Sequence, residues 1–257
     1  MEKRLQTILA HAGTASRRHA AQLIEEGRVL VDGQKVTERG YRIDPAKHEI
    51  LVDGKLLSKE EEKKYFIFNK PVDVISTVKD THDRKKITDF FKEIDARLYP
   101  VGRLDKDTTG FIIVTNDGEL ANKLAHPRYE IEKVYIAFVK AAVAGGTLKK
   151  LENGVFLDGT ITAQCRIKFI EKNGTGALYK VKLHEGKKRQ IRRMFEIAGT
   201  KVMELKRVRY AGLSLGELKE GEYRALTKRE IVHLKNILSG KISLKNTKKS
   251  TVKYGSK

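Results

Sequence analysis

Short runs of β-branched and aromatic residues set the tightest limits on the fold of this chain. Each run has the length of a β-strand, and polar or helix-like stretches separate one run from the next. The strands and helices do not alternate in a regular βαβ repeat, so the pattern predicts a mixed α+β domain that begins at Tyr65. The runs, in chain order, are YFIFN, FIIVT, VYIAFV, RIKFI and LYKVKL.

A smaller unit precedes this domain. Apolar residues repeat with helical spacing over residues 3–12, and a second helix is predicted over residues 17–26, with Ser16 as its N-cap. Strand-like segments follow and are joined by Asp-Gly dipeptides, which favour hairpin turns. The predicted organisation is an αα-then-β unit in residues 1–57, a polar linker in 58–64, the α+β domain in 65–240 and a basic, disordered tail in 241–257.

The chain carries a large excess of positive charge. Lys and Arg number 53 and Asp and Glu 33, which gives a net charge of +20 at pH 7. That sign attracts phosphate, so nucleic acid is the first candidate partner, although a membrane surface or a lysine-rich proteome fits the same composition. Arg17 and Arg18 stand in the first turn of the second predicted helix, where the helix dipole disfavours cations. They are therefore candidates for RNA binding, and an ordinary solvated helix face is the alternative.

Several classes of function find no support in the sequence. No apolar run approaches the roughly 18 to 20 residues of a membrane span, and the first residues lack the pattern of a secretory signal, so we expect a cytoplasmic protein. Walker loops, GxGxxG fingerprints and metal-ligand clusters are missing, and we expect neither a metal nor a nucleotide cofactor. The lone Cys165 is expected to be a small buried hydrophobe rather than a nucleophile. A monomer is the default expectation.

The segment GRLDKDTTGFIIVTNDGEL, residues 102–120, is a candidate catalytic loop. It carries Asp105 and Asp107 and runs directly into the apolar strand 111–114, so at least one acid is held at the edge of a rigid core. A nucleophile or general base requires such a placement. Arg103 would lie on the same side as Asp105 if the backbone is extended. A structural Arg and Asp pair that braces a turn is the alternative.

A second basic segment, LHEGKKRQIRRMFEIAG in residues 183–199, strengthens the functional interpretation. Positive charges crowd residues 187–193, and the segment then continues as a helix with an apolar face. That face anchors the helix while the basic side chains reach outward. Arg192 could form a charge-assisted pair with a buried carboxylate and keep it ionised by lowering its pKa.

The order of short motifs along the chain is more specific than any one of them. The motifs are Asn69-Lys70-Pro71, Arg103-Leu104-Asp105 with Thr108 and Gly110, Thr115-Asn116-Asp117-Gly118, Lys133-Val134-Tyr135, and Glu185-Gly186 with Arg189-Gln190-Ile191-Arg192-Arg193-Met194-Phe195. Together they resemble the RsuA/RluB/RluE/RluF family of bacterial rRNA pseudouridine synthases, and residues 1–55 are similar to the S4 RNA-binding domain that precedes many members. One position departs, because the family usually has Gly where this chain has Asp73. The segments around the basic motif and near residues 206–226 look most like the RluB branch, which favours large-subunit RNA.

The resemblance implies a domain built on a mixed, largely antiparallel sheet with flanking helices, which acts on rRNA or a pre-ribosomal particle without a cofactor. It makes Asp105 the catalytic carboxylate, which either attacks C1′ of the uridine or removes a ribose proton. Tyr135 would stack on the uracil and serve in proton transfer, and Arg192 would pair with Asp105. Because a paired base hides the bonds that change, the target must be flipped out or single-stranded. The substrate-binding residues would be Arg103, Lys187, Arg189, Ile191 beneath the base, and Arg193.

Two alternatives stay open at this point. A noncatalytic S4-domain RNA-binding or ribosome-assembly protein could keep the same fold, but a pure binder has no need for a carboxylate beside RNA phosphates. A carboxylate-dependent glycosidase would need a second acid to protonate a leaving group, and Asp107 is the nearby candidate. The excess of positive charge fits a sugar polymer poorly.

Overall fold

The computed structural model describes residues 1–57, 61–78, 80 and 82–241. The chain divides into two compact units. The first comprises Met1–Lys64, Glu93–Leu98 and Asn116–Gly118, and the second comprises Tyr65–Lys92, Tyr99–Thr115 and Glu119–Lys257. Part of the predicted linker (58–60) and nearly all of the predicted tail (242–257) lie outside the described residues.

The first unit combines two helices with short antiparallel strands. Its elements are β1 (Lys3–Arg4), α1 (Leu5–His11), α2 (Arg17–Glu25), β2 (Val29–Val31), β3 (Gln34–Val36), β4 (Arg42–Ile43), β5 (Ile50–Val52) and β6 (Lys55–Leu56). Ser16 caps α2, because its hydroxyl accepts a hydrogen bond from His19 N–H at 3.1 Å. Asp32 and Gly33 join β2 to β3 with positive φ angles of 50° and 78°, which suits a two-residue hairpin turn. Both predicted helices and this hairpin are confirmed.

The second unit is built on one large sheet. Its elements are β7 (Tyr65–Lys70), a 3₁₀ helix (Ile87–Phe91), β8 (Tyr99–Pro100), β9 (Thr109–Thr115), α3 (Gly118–Ala125), a 3₁₀ helix (Pro127–Tyr129), β10 (Lys133–Val139), α4 (Gly145–Asn153), β11 (Phe156–Leu157), β12 (Thr160–Ile161), β13 (Arg166–Asn173), β14 (Gly176–Leu183), α5 (Gln190–Ile197), β15 (Val202–Tyr210), β16 (Leu213–Ser214), β17 (Tyr223–Ala225) and α6 (Lys228–Leu238). Within the described residues, the strand order is β13-β14-β10-β15-β9-β7-β17, with β16 beside β15 and β8 beside β9. The pairing of β15 with β9 is parallel, and the other pairings in this sheet are antiparallel. The predicted mixed, largely antiparallel α+β fold is confirmed.

Apolar side chains on the sheet pack against the helices. Ile67, Phe111 and Ile113 from β7 and β9 share one buried cluster with residues of α3 and α6. On the other half of the sheet, the rings of Tyr179 and Phe195 lie 5.4 Å apart and join β14 to α5. Burying each such side chain contributes about 1.5 to 3 kcal/mol, so these contacts hold β9, β14 and α5 in fixed positions.

Gly110 is the point at which β9 meets β15 in parallel. It has a φ angle of 104°, and a Cβ atom at this position would lie 2.3 Å from the backbone oxygen of Arg207. Only glycine permits so close an approach of two backbones in this conformation. The loop that carries Asp105 therefore ends at a fixed position.

Cys165 is buried, as predicted. Its thiol donates to Leu151 O at 3.7 Å, and burial raises its pKa to about 11. A thiol in this state is not a nucleophile near neutral pH.

Candidate active site

Asp105 stands in a tightly held loop that leads into β9. The hydroxyl of Ser76 accepts a hydrogen bond from Leu104 N–H at 3.1 Å and donates one to Leu104 O at 2.9 Å. A turn follows, in which Thr108 N–H donates to Asp105 O at 3.0 Å. The backbone is thus fixed on both sides of the half-buried Asp105 side chain.

Asp105 borders a cleft with a volume of about 320 Å³, which we call the Asp105 cleft. Sites for small ligands commonly have about 300 to 1,000 Å³. Tyr135 from β10 and Ile191 from α5 line the same cleft and are only 9% and 5% exposed. The structure therefore brings together the residues that were predicted to surround the uracil. The cations that line the cleft are Arg103, Lys133, Lys187, Lys188, Arg189 and Arg207.

Arg192 binds Asp107 rather than Asp105, which corrects the predicted pairing. Arg192 Nη2 donates to Asp107 O at 2.8 Å, Nε lies 3.2 Å from Asp107 Oδ2, and Nη1 donates to Val202 O at 2.8 Å. Asp105 lines the cleft and Asp107 does not, so spacing along the sequence could not tell which of them meets Arg192. Arg192 braces the loop and is not among the residues that line the Asp105 cleft.

Asp107 is held by a second arginine as well. Arg189 Nη1 donates to Asp107 Oδ1 at 3.0 Å, and Arg189 Nη2 lies 2.9 Å from Oδ2. Burial acts to raise the pKa of Asp107, but the hydrogen bond from Arg189 and the charge of Arg192 outweigh it and lower the pKa. Asp107 therefore stays ionised at neutral pH and serves as a brace.

Two predicted phosphate-binding residues are engaged within the protein. Lys187 lines the cleft, and its Nζ donates to Leu157 O at 3.1 Å and to Thr160 O at 3.3 Å, which ties the basic segment to the β11–β12 hairpin. Arg193 Nη1 lies 2.8 Å from Asp158 Oδ2 in the same hairpin, and Arg193 does not line the cleft. Both residues therefore fix the hairpin beside the helix α5.

The other predicted cations are placed as follows. Arg103 and Arg189 are both exposed, and both line the cleft. Arg17 and Arg18 belong to the first unit and are exposed on α2. The exposed side chains of these cations can reach a phosphate, although Arg189 also pairs with Asp107.

Lys70 is the buried last residue of β7, and the sequence assigned it no role. Its side chain is 0% exposed, and Nζ donates to Pro71 O at 2.8 Å, Val74 O at 2.7 Å and Lys106 O at 3.3 Å. Burial lowers the pKa of Lys70 to about 8, although nearby carboxylates act in the opposite direction. The ammonium holds Lys106, next to Asp105, against the turn after β7. Its place in the Asn69-Lys70-Pro71 motif was the sequence signal that could have identified this role.

Lys133 is a second cation with a lowered pKa. Burial, together with the charge of Arg207, lowers the pKa of Lys133 to about 8. Its Nζ donates to Ile131 O at 3.2 Å and His184 O at 3.1 Å, and the residue lines the Asp105 cleft. It joins the start of β10 to the segment that precedes α5.

Asp73 adopts the conformation that explains why glycine is common at this position. Its φ angle is 63°, in the left-handed region that glycine enters at no cost and Asp tolerates better than most residues. The Asp73 carboxylate lies 3.3 Å from Lys106 Nζ. The turn therefore keeps its shape without glycine.

Neither a metal centre nor a membrane span is seen in the described part of the chain. No group of three or more His, Cys, Asp or Glu side chains in residues 1–57, 61–78, 80 and 82–241 could hold a metal ion. Over the same residues, every helix is too short or too polar to cross a bilayer.

Comparisons with known proteins agree with this geometry. The family model "RNA pseudouridylate synthase" matches residues 64–197, and the "S4 domain" model matches residues 3–50. A Bacillus subtilis protein named ribosomal large subunit pseudouridine synthase B is 47% identical over 91% of this chain and 96% of its own length. A Pseudomonas aeruginosa protein of the same name is 38% identical over 95% of this chain and 63% of its own length. A crystal structure of a pseudouridylate synthase superposes with a TM-score of 0.65 at 30% identity, covering 90% of this chain and 99% of the other.

An S4 match followed by a pseudouridylate synthase match, with Asp105, Tyr135 and Ile191 inside the second, defines an RNA-modifying enzyme. The chain belongs to the RNA pseudouridylate synthase family.

Proposed function

We propose that this protein isomerises a specific uridine of large-subunit ribosomal RNA to pseudouridine, with Asp105 as the catalytic carboxylate. The observation that carries the proposal is the placement of Asp105, Tyr135 and Ile191 around one cleft that is rich in cations. The names of the relatives from Bacillus subtilis and Pseudomonas aeruginosa support large-subunit RNA as the substrate.

The reaction needs one carboxylate and no external reactant. The bond between C1′ and N1 breaks, the base turns, C1′ joins C5, the proton on C5 leaves and N1 gains a proton. Asp105 either attacks C1′ or removes a ribose proton, and a carboxylate in a rigid loop at the mouth of a cleft suits both routes. Arg192 acts through Asp107, because it holds the backbone on which Asp105 is mounted.

Tyr135 and Ile191 would hold the flipped uracil. An aromatic ring stacked on a base contributes about 1 to 3 kcal/mol, and the isoleucine supplies an apolar surface beneath it. Arg103 and Arg189 would bind phosphates at the rim, since both line the cleft and Arg103 is exposed. Extrusion of the base costs less when the target is unpaired, so a single-stranded loop suits this cleft best.

The glycosidase alternative loses support from the state of Asp107. A leaving-group acid must carry a proton near neutral pH and therefore needs a raised pKa. The pKa of Asp107 is lowered instead, and two arginines occupy its carboxylate. A purely RNA-binding role leaves the carboxylate of Asp105 beside phosphates without a purpose.

The proposal also covers the role of the first unit, the partner, the location and the oligomeric state. Residues 1–57 would act as an RNA-binding domain, with Arg17 and Arg18 on its surface, and residues 65–240 would carry out the chemistry. We propose ribosomal RNA or a pre-ribosomal particle as the partner, a cytoplasmic location where ribosomes assemble, and a monomer that works without a cofactor.

The experiment that tests this function maps pseudouridine in ribosomal RNA from cells with the wild-type gene, no copy, Asp105→Asn or Asp73→Asn. Chemical labelling of pseudouridine followed by primer extension identifies the position. Asp73 is a matched control, because its side chain is 75% exposed and asparagine tolerates its left-handed backbone. One position in large-subunit RNA should be modified in the wild type and in Asp73→Asn, and unmodified in the other two strains. Full modification in Asp105→Asn would remove Asp105 from the chemistry.

A further inference from the structure

Arg207 is a buried cation in the wall of the Asp105 cleft, and the motifs in the sequence did not point to it. It lies on β15, directly across from Tyr135 of β10 in the antiparallel register. It is only 2% exposed and lines the cleft. Burying a guanidinium is costly, so its presence here calls for a matching negative charge or acceptor.

The guanidinium of Arg207 is firmly held but incompletely hydrogen-bonded. Nε donates to Phe111 O at 2.7 Å, Nη1 lies 3.5 Å from Tyr135 Oη, and Cζ lies 4.9 Å from the centre of the Tyr210 ring. Nη2 is buried and finds no hydrogen-bond partner among the residues that the structure describes. An unsatisfied donor of this kind is unfavourable, because a charged group loses water without a replacement. The wall of the cleft therefore contains a guanidinium that is not fully hydrogen-bonded within the described residues.

The proposed reaction creates an acceptor at this place. When C1′ separates from N1, the bonding electron pair stays on the uracil ring, and the negative charge spreads over N1 and the two carbonyl oxygens. The ring then turns, and its C5 forms the bond to C1′ before the C5 proton leaves and N1 is protonated. A preorganised donor that faces developing charge in a water-poor site lowers the barrier strongly. If the uracil stacks on Tyr135, the edge of the uracil ring would lie close to Arg207, which is the neighbour of Tyr135 on the adjacent strand.

We propose that Arg207 donates a hydrogen bond from its guanidinium to a carbonyl oxygen of the target uracil and stabilises the ring anion while the ring is detached from the sugar. This role rests on the proposed function, since it requires uracil to occupy the Asp105 cleft. Arg207 then contributes to the cleavage step rather than to the affinity for RNA.

The test compares two transcripts of large-subunit ribosomal RNA, one with uridine and one with 5-fluorouridine in its place. Fluorine withdraws electrons and stabilises the ring anion without help from the protein. The full-length enzyme is used in excess, and the loss of the N1-linked nucleoside at the modified position is followed by nuclease digestion and mass spectrometry. The variants are Arg207→Met, which removes the charge, and Arg207→Lys, which keeps it but loses the planar donor. The matched control is Lys206→Met, because Lys206 is a cation on the same strand that pairs with Glu220 outside the cleft.

Arg207→Met should slow the reaction of uridine by about 10²-fold, the usual effect of losing one donor to a developing anion. The reaction of 5-fluorouridine should slow by about tenfold less, Arg207→Lys should be intermediate, and Lys206→Met should match the wild type on both transcripts. Equal slowing of the two transcripts in the Arg207 variants, or wild-type rates, would overturn the proposal. If Arg207→Met does not fold, the ratio of the uridine rate to the 5-fluorouridine rate in Arg207→Lys tests the proposal instead. An active Asp105→Asn enzyme would instead overturn the proposed function itself, so the two failures are distinct.

Discussion

Replacing Gly110 with alanine should destabilise the second unit far more than the same change at Gly102, although both glycines flank the Asp105 loop. At Gly110 the new Cβ would lie 2.3 Å from Arg207 O and 2.9 Å from Arg207 N, and the φ angle is 104°. Alanine in such a conformation costs about 1 to 3 kcal/mol. Forcing β9 away from β15 adds about 1 to 3 kcal/mol, as overpacking does in other cores. The smaller conformational freedom of the unfolded alanine variant offsets about 0.4 to 1 kcal/mol of this cost. The expected loss is therefore about 3 kcal/mol at the midpoint of these ranges.

Gly102 serves as the matched control for this change. Its φ angle is 70°, but a Cβ there meets nothing within 4 Å, so only the backbone strain of about 1 to 2 kcal/mol remains. The assay is urea unfolding followed by circular dichroism, in which a pure change of stability moves the midpoint and leaves the slope unchanged. Because both positions lie in the same unit, slow or partial unfolding of the first unit affects the two variants alike. Equal midpoints for Gly110→Ala and Gly102→Ala would refute the close approach of β9 and β15.

Three other predictions concern titration and RNA binding. Burial lowers the pKa of Lys70 from 10.5 to about 8, so the folded protein loses this proton before the unfolded chain does. The stability of the wild type relative to Lys70→Met should therefore be constant below pH 8 and rise by about 3 kcal/mol up to about pH 10.5, and a constant difference in urea titrations across this range would contradict it. Because the pKa of Asp107 is lowered in the folded protein, its ion pairs stabilise the fold above the usual Asp pKa, and this stability is lost as the pH falls through the lower folded value. Asp107→Asn should therefore flatten the acid side of the profile of stability against pH. An unchanged profile would show that these ion pairs contribute nothing to stability. Arg17→Gln and Arg18→Gln should each weaken RNA binding similarly on all sequences and reduce the slope of log K against log salt by about 1, and a slope equal to that of the wild type would exclude the phosphate contact.

Local features of the fold could be predicted from the sequence because neighbouring residues determine them. Ser16 could be recognised as a helix cap, and Asp32 with Gly33 as a hairpin turn, since the required hydrogen bond and backbone angles involve only residues nearby. The position of Asp105 at the edge of the core followed from the apolar strand next to it. The α+β class followed from the order of strand-like runs.

Partners that are distant in the sequence could not be predicted in this way. Whether Arg192 meets Asp105 or Asp107 depends on one turn in the loop, which places Asp105 at the cleft and Asp107 beside Arg192. Arg207 becomes a neighbour of Tyr135 only through the register of β10 and β15. Nothing in the local pattern of β15 distinguishes that arginine from the other cations of a chain with 53 Lys and Arg residues. Long-range register therefore limits what sequence patterns reveal about a site.

The role of Asp105 is tested most directly by the release of tritium from C5 of uridine in a large-subunit ribosomal RNA transcript labelled with [5-³H]uridine. Purified wild-type and Asp105→Asn proteins are compared in a single turnover, and their affinity for the same transcript is measured alongside. Tritium release should slow by at least about 10⁴-fold in Asp105→Asn, the scale expected when the central group of a catalytic site is removed, while the affinity for RNA stays the same. Tritium release at the wild-type rate, or a loss of activity that only follows a loss of RNA binding, would show that the chemistry does not depend on this carboxylate.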